Sequence, residues 1–167
     1  MNLNPAVAPS ARSLLVVPAA ITLAITLLRL GLELAGMRAW LADHGMRGAV
    51  AIVGIAWLPF VFGPWFALRL RPFAASTKAL CKPLARTLLL YGLLARLPVF
   101  LVTIPAVLGD WGTHYDRFPF EGGAVAKIAA GFVAQMVFWA CVWTVVTGLL
   151  AGLLFVVLRP QSKAAAA

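Results

Sequence analysis

Four long apolar runs, separated by short polar segments, divide the chain. They cover about residues 13–36, 48–70, 87–108 and 128–158. Each run is close to or above the roughly 20 residues that an α-helix needs to cross a bilayer. Because the runs are continuously apolar and do not alternate, they do not fit the strands of a membrane barrel. The pattern therefore predicts an all-α integral membrane protein, a four-transmembrane-helix bundle with short interfacial helices.

The composition agrees with this class of protein. Hydrophobic residues make up 63% of the 167 residues and charged residues 11%, and the mean hydropathy is +0.96. In a typical soluble domain, about a quarter of the residues are charged. We therefore predict a single membrane domain over residues 1–167, with 159–167 as a short cytoplasmic tail.

The distribution of charge predicts the orientation of the chain. Basic residues without an accompanying acid occupy both ends and the segment between the second and third runs: Arg12, Arg69, Arg71, Lys78, Lys82, Arg86, Arg159 and Lys163. All five acids lie in or beside the other two connecting segments: Glu33, Asp43, Asp110, Asp116 and Glu121. Since cytoplasmic loops carry the excess of Lys and Arg, both termini are predicted to be cytoplasmic in a multi-pass protein of the inner (plasma) membrane.

The net charge of +9 is explained by this topology. The basic residues lie on short segments without aromatic stacking platforms, so we expect no nucleic-acid partner. Three of them recur every four residues between 78 and 86 and would form one stripe on a helix, which Pro83 would kink or end. A basic stripe at a membrane surface gains about 1 kcal/mol per residue from anionic lipids; specific binding of a lipid or phosphate is the alternative. The predicted lipid contacts are Arg69, Arg71, Lys78, Lys82 and Arg86.

Arg96 lies inside the third apolar run. It follows Thr87 by nine residues, roughly 13 Å along a helix. An arginine at such a depth costs a few kcal/mol unless it finds a partner. Trp143 and Thr147 on the fourth run, or a carbonyl freed by Pro98, are the expected partners. Arg96 therefore either has a structural role, in which its side chain extends to the interface or donates to carbonyls, or forms an internal site for an anionic group.

The fourth run carries small residues at helical spacing. They recur every four positions at Ala140, Thr144, Gly148 and Gly152. Small residues at this spacing allow two helix backbones to approach closely. The stripe predicts helix packing, either inside the bundle or between two copies of the chain. The opposite side, with Phe138, Trp139 and Trp143, would face lipid or a partner.

The connecting segment 109–123 concentrates the rare polar residues. If it is helical, Trp111, Tyr115 and Phe118 form an aromatic face and the segment lies flat in the headgroup layer, which is the favoured interpretation. If it is extended, His114 and Asp116 share a face. The weak candidates for a metal site are Asp110, His114 and Asp116, which would need Asp43 and His44 to join them. A second interfacial helix is predicted around residues 37–44, and Arg29 is expected to pair with Glu33.

Enzymatic chemistry has little support in the sequence. There is no G-x-S-x-G, H-E-x-x-H or C-x-x-C motif, so we expect no catalytic residues and no cofactor. The favoured function is a non-enzymatic subunit or accessory protein that packs against partner helices in the lipid bilayer. The alternative is a small homo-oligomeric transporter or channel for an anionic or lipid-like substrate near Arg96, and an outer-surface metal or enzyme site around His114 is a weaker third possibility.

Overall fold

The computed structural model describes residues 9–43 and 53–159, which form helices and turns without a strand in those ranges. In chain order, α1 is Ala11–Leu34, α2 is Arg38–Asp43, α3 is Leu58–Leu70, followed by a 3₁₀ turn at Arg71–Phe73, and α4 is Thr77–Gly109. A final helix of 35 residues, Ala124–Leu158, consists of α5 (Ala124–Phe132), a π-helical section at Val133–Trp143, hereafter the π segment, and α6 (Thr144–Leu158). The all-helical prediction is therefore confirmed.

Among the described residues, three helices are long and apolar enough to cross a membrane. They are Ala11–Leu34, Thr77–Gly109 and Ala124–Leu158, and they correspond to the first, third and fourth apolar runs. In the second run, residues 48–52 lie outside the described residues, residues 53–57 form turns, and α3 has 13 residues. A helix of that length spans only about 20 Å.

Helix α4 begins ten residues before the predicted edge of the third run. Ser76 caps it, because its hydroxyl accepts a hydrogen bond from the amide of Ala79, and the basic stripe continues directly into the span. Pro83 lies inside this helix and does not end it. The cost of a proline inside a helix is about 3 kcal/mol, and burial of the neighbouring Leu80 and Leu84 offsets it.

The small residues of the final helix pack inside the chain. Gly63 on α3 lies so close to Gly148 that an added Cβ would overlap the carbonyl of Gly148. Gly92 on α4 meets the backbone of Ala140 in the same way. Thr144 is also buried, and a Cβ on Gly152 would lie 2.7 Å from the carbonyl oxygen of Gly63. The stripe predicted from the sequence therefore contacts α3 and α4 of its own chain.

The bundle has two different ends. The basic end carries Leu70, Thr77 and Leu158, and the loop end carries Leu34, Gly109 and Ala124. At the basic end α3 fits between α4 and α6, around a core that includes Phe66 and Tyr91. Toward the loop end, turns at residues 53–57 continue from α3 in place of helix. A cavity lies among these turns and the neighbouring helices.

The contact at Gly92 gives a test of this packing. Gly92→Ala places a methyl group against backbone atoms, so we expect it to destabilise the bundle by about 1–3 kcal/mol, the usual cost of overpacking. Gly31→Ala is the matched control, because it is also a helical glycine and has nothing within 4 Å of an added Cβ. Thermal unfolding in a mild detergent, followed by circular dichroism, measures both. Equal melting temperatures for the two variants would contradict the close contact of α4 with Ala140.

Candidate functional site

A cavity of about 250 Å³ lies between α1, α4, the π segment and the turn at residues 53–56. Its polar wall consists of Thr26, Arg29, Arg96, His114, Tyr115 and Gln135. Its apolar wall consists of Ile25, Val53, Ile55, Val99 and Trp139. The turn contributes to the wall because Trp143 holds it in place: the indole Nε1 donates a hydrogen bond of 2.8 Å to the carbonyl of Ala56.

Arg96 is the most buried charge on the cavity wall, with 6% of its surface exposed. Its Nη1 donates to Oε1 of Gln135 at 3.4 Å. Its guanidinium lies 4.9 Å from the centroid of the Trp139 ring, a distance at which a cation is attracted to an aromatic face. Among the described residues no carboxylate pairs with Arg96.

The structure places the predicted partners of Arg96 elsewhere. The indole of Trp143 donates to Ala56, and the hydroxyl of Thr147 donates to the carbonyl of Trp143 at 2.7 Å. Arg96 lies one turn beyond Gly92, which meets Ala140, so it is level with Gln135 and not with Thr147. The π segment also changes the register, because its hydrogen bonds join residues five positions apart, as from the backbone amide of Thr144 to the carbonyl of Trp139. Counting 3.6 residues per turn does not hold across such a section, and Gln135 and Trp139 face Arg96 instead.

Glu33 connects α1 to the loop. Its side chain is only 2% exposed, and its Oε1 accepts from Nε of Arg29 at 3.0 Å, which confirms the expected pair. The same oxygen lies 2.6 Å from Nδ1 of His114. Oε2 accepts the backbone amide of His114 at 2.8 Å. One buried carboxylate thus holds both an arginine of the cavity wall and the loop that covers the cavity.

The loop is neither a flat helix nor an extended strand, so both predicted conformations are corrected. Asp110 and Gly112 adopt left-handed backbone angles, with φ of 45° and 67°. Asp116 then accepts hydrogen bonds of 2.7–2.9 Å from the amides of Gly112 and Thr113 and from the Thr113 hydroxyl. This turn directs Tyr115 into the bundle, where its hydroxyl donates to the carbonyl of Thr26 at 3.4 Å. Burial of Tyr115 against α1 and α4 favours this conformation over one lying on the surface.

The weak metal candidates are not brought together. Asp116 is occupied with the turn, His114 contacts Glu33, and Asp110 is exposed. Within residues 9–43 and 53–159, no group of three or more His, Cys, Asp or Glu side chains is arranged to hold a metal ion. His44, which the metal hypothesis also required, lies outside the described residues. The short helix predicted near it is present as α2, and Arg38 on α2 donates to the carbonyl of Gly112.

The basic end presents the predicted lipid-contacting side chains. Lys78, Lys82 and Arg86 are exposed on one side of α4, while Leu80 and Leu84 are buried on another. The other two members are on or just after α3: Arg69 is exposed with its guanidinium 5.1 Å from the Trp65 ring, and Arg71 donates to the carbonyl of Ala74. None of these five residues lines the cavity.

Sequence analysis did not assign Gln135, Trp139 or Glu33 to the site. Trp139 was predicted to face lipid or a partner, but it lies against Arg96, and Glu33 was predicted only to pair with Arg29. Gln135 had a detectable signal, because it is the only amide or charged side chain in the fourth apolar run. Comparison of the chain with protein-family models, with curated proteins and with solved structures finds no match. The function is therefore inferred from the geometry of the cavity.

The turn at Asp116 depends on the ionised carboxylate. Burial alone would raise the pKa of Asp116, but hydrogen bonds from Thr113 and Gly112 hold that pKa below its ordinary value. A carboxyl whose pKa is depressed in the folded state stabilises the fold at neutral pH and loses this effect as the pH falls through its folded pKa. Asp116→Asn should therefore loosen the loop at pH 7 and matter less in acid.

Hydrogen exchange measures this prediction. Because hydrogen bonds to charged groups contribute about 1.5–3 kcal/mol, we expect exchange at residues 112–116 to be at least about tenfold faster in Asp116→Asn at pH 7. The difference should narrow as the pH falls below the ordinary aspartate value of 3.8, after correction for intrinsic exchange. Asp110→Asn is the control, since Asp110 is exposed and asparagine tolerates a positive φ. Unchanged protection in Asp116→Asn would contradict the assigned turn.

Proposed function

We propose that this protein binds an anionic, lipid-like molecule in the cavity at Arg96 and handles it as a small non-enzymatic transporter or carrier. The observation that carries the proposal is a buried guanidinium that faces a cavity and has no carboxylate partner among the described residues. A buried charge is costly unless it is paired and hydrogen-bonded. One hydrogen bond to Gln135 and one aromatic face supply part of that compensation, and an anion would supply the rest.

The chemistry of the wall supports an anionic group in particular. Arginine presents five N–H donors in a planar fork that suits carboxylate and phosphate oxygens. Arg96 uses one of its terminal nitrogens for Gln135, and Arg29 uses its Nε for Glu33. Each guanidinium has further N–H groups, and both arginines line the same cavity.

The apolar wall supports an amphipathic occupant. Ile25, Val99 and Trp139 lie on helices long enough to cross a membrane, and this supports a position of the cavity within the hydrocarbon region. Its volume of about 250 Å³ is slightly below the 300–1,000 Å³ typical of sites for drug-sized ligands. We propose that the cavity takes the headgroup and the first part of the chain of a lipid-like molecule, and that the remaining chain lies in the bilayer.

The orientation in the membrane is part of the proposal. We propose that the chain crosses an inner membrane four times, with α3 in the second crossing and the basic end in the cytoplasm, because the excess of Lys and Arg lies there. Exposed Lys78, Lys82 and Arg86 would then contact anionic headgroups. The cavity would lie in the half of the membrane that faces away from the cytoplasm.

The role of a partner subunit receives less support. The small residues of the final helix are a surface that could have packed against another chain. Gly148 and Gly152 contact Gly63, and Ala140 contacts Gly92, all within one chain. The cavity at Arg96 is not filled by this packing, so we favour the binding of an anionic, lipid-like molecule.

Removal of the Arg96 charge tests the proposal. Three probes of equal chain length are titrated onto protein purified in a neutral detergent: dodecanol, dodecanoate and dodecyl phosphate. We expect both anions to bind more tightly than dodecanol and Arg96→Gln to weaken their binding at least tenfold, as measured by calorimetry or native mass spectrometry. Arg12→Gln is the matched control, because it removes an exposed arginine that neither lines the cavity nor belongs to the predicted lipid contacts.

Two outcomes would contradict the proposal. Equal binding of dodecanol and the two anions to the wild-type protein would exclude an anion site. Competition by acetate or inorganic phosphate as effective as that by the C12 anions would exclude the amphipathic ligand and leave a site for a free anion. A normal melting temperature of Arg96→Gln shows that any loss of binding is not a loss of the fold.

The proposed orientation is tested with introduced cysteines. After Cys81 and Cys141 are replaced by alanine, Lys78→Cys and Glu121→Cys place one exposed thiol at the basic end or at the loop end. We expect a membrane-impermeant maleimide to label Glu121→Cys in intact spheroplasts and Lys78→Cys only after permeabilisation. The reverse labelling order would overturn the proposed topology.

A further inference from the structure

We infer that Glu33 determines the ligand's charge, so that the cavity selects amphiphiles with one negative charge over those with two. This inference rests on the anion-binding function proposed above and adds the substrate class and the residue that sets it. It follows from the charged side chains around the cavity, which together carry one net positive charge.

The count of charges begins with the ion pair on α1. Arg29 and Glu33 are joined at 3.0 Å, and the Glu33 side chain is 2% exposed. Their charges cancel. The carboxylate does not itself line the cavity, but it is bonded to two residues that do, Arg29 and His114. Glu33 also accepts from the amide of His114 at 2.8 Å, so the loop holds the carboxylate in place.

The second part is Arg96. Its guanidinium faces neutral groups, the amide of Gln135 at 3.4 Å and the ring of Trp139 at 4.9 Å. Arg29, Glu33 and Arg96 together therefore carry one net positive charge. In a medium of low dielectric constant, an unpaired charge of either sign is costly. A ligand with one negative charge makes the site neutral, whereas a ligand with two leaves it negative.

Among the described residues, no carboxylate lines the cavity, so none changes this net charge. His114 shares the Glu33 oxygen through Nδ1 at 2.6 Å, and Tyr115 presents a phenol that donates to Thr26. The charged residues on the far side of the loop line a separate surface depression: Asp110, Asp116, Arg117, Glu121 and Lys127. The imidazole of His114 is the one further basic side chain at the cavity wall among the described residues, and the experiment below removes it in one arm.

Charge-balanced variants test the inference with the same C12 probes at pH 8, where the phosphate monoester is close to doubly charged. The wild-type protein should bind dodecanoate at least tenfold more tightly than dodecyl phosphate. Glu33→Gln leaves two uncompensated arginines and should reverse this order. The double variant Arg29→Gln/Glu33→Gln returns the count to one positive charge and should restore the wild-type order. His114→Gln should keep the wild-type order.

Failure of this inference is distinguishable from failure of the proposed function. If both anions bind in a manner that depends on Arg96, but their order is the same in Glu33→Gln as in the wild type, charge selection by Glu33 is overturned and the anion site stands. If neither anion binds better than dodecanol, the proposed function itself fails. Where Glu33→Gln does not fold, Arg29→Gln replaces it: its count is zero, so the preference for either anion over dodecanol should be lost, and a retained preference overturns the inference.

Discussion

Inside a bilayer, water is not present to satisfy backbone polar groups or side-chain charges, and this constraint shapes the whole chain. The described residues meet the constraint with long helices and with hydroxyl groups that donate to carbonyls one turn earlier, as Thr22 does to Pro18 and Thr103 to Val99. Tyr115 enters the bundle only with its own hydroxyl directed at a carbonyl of α1. Glu33 is buried because three donors from two elements surround it. Arg96 has one hydrogen bond and one aromatic contact, and no carboxylate among the described residues neutralises its charge.

The two ends of the bundle meet the constraint in different ways. At the basic end, glycines on α3 and α4 bring helix backbones into contact with the final helix, and no space remains for a ligand at these contacts. Toward the loop end, α3 gives way to turns, and the π segment directs Gln135 and Trp139 at Arg96. Local π-helical geometry is rare and frequently occurs at functional sites. The proposed binding site thus lies where turns at residues 53–57 take the place of a helix.

The loop between α4 and α5 connects this architecture to selectivity. Its polar residues were expected to lie on the membrane surface, yet Asp116 uses its charge to form a tight turn and Tyr115 is buried as a consequence. The same turn delivers His114 to Glu33, and Arg38 on α2 holds the turn from the other side. The segment was predicted to lie on the membrane surface, but its residues His114 and Tyr115 line the cavity. Through His114 it also contacts Glu33, the carboxylate to which we assign the charge selectivity of the proposed site.

The sequence alone determined the class of protein, because about 20 consecutive apolar residues have one stable form in a bilayer, the helix. It also determined contacts between neighbours on one helix, such as Arg29 with Glu33, and the small-residue stripe that packs. It did not determine which residues face Arg96, since Gln135 is 39 positions away and lies in a π segment that changes the register. Nor did it place His114 beside Glu33, 81 positions apart. Only the tertiary structure decided these pairs, because contacts between helices depend on the rotation and depth of each helix, which local spacing does not encode.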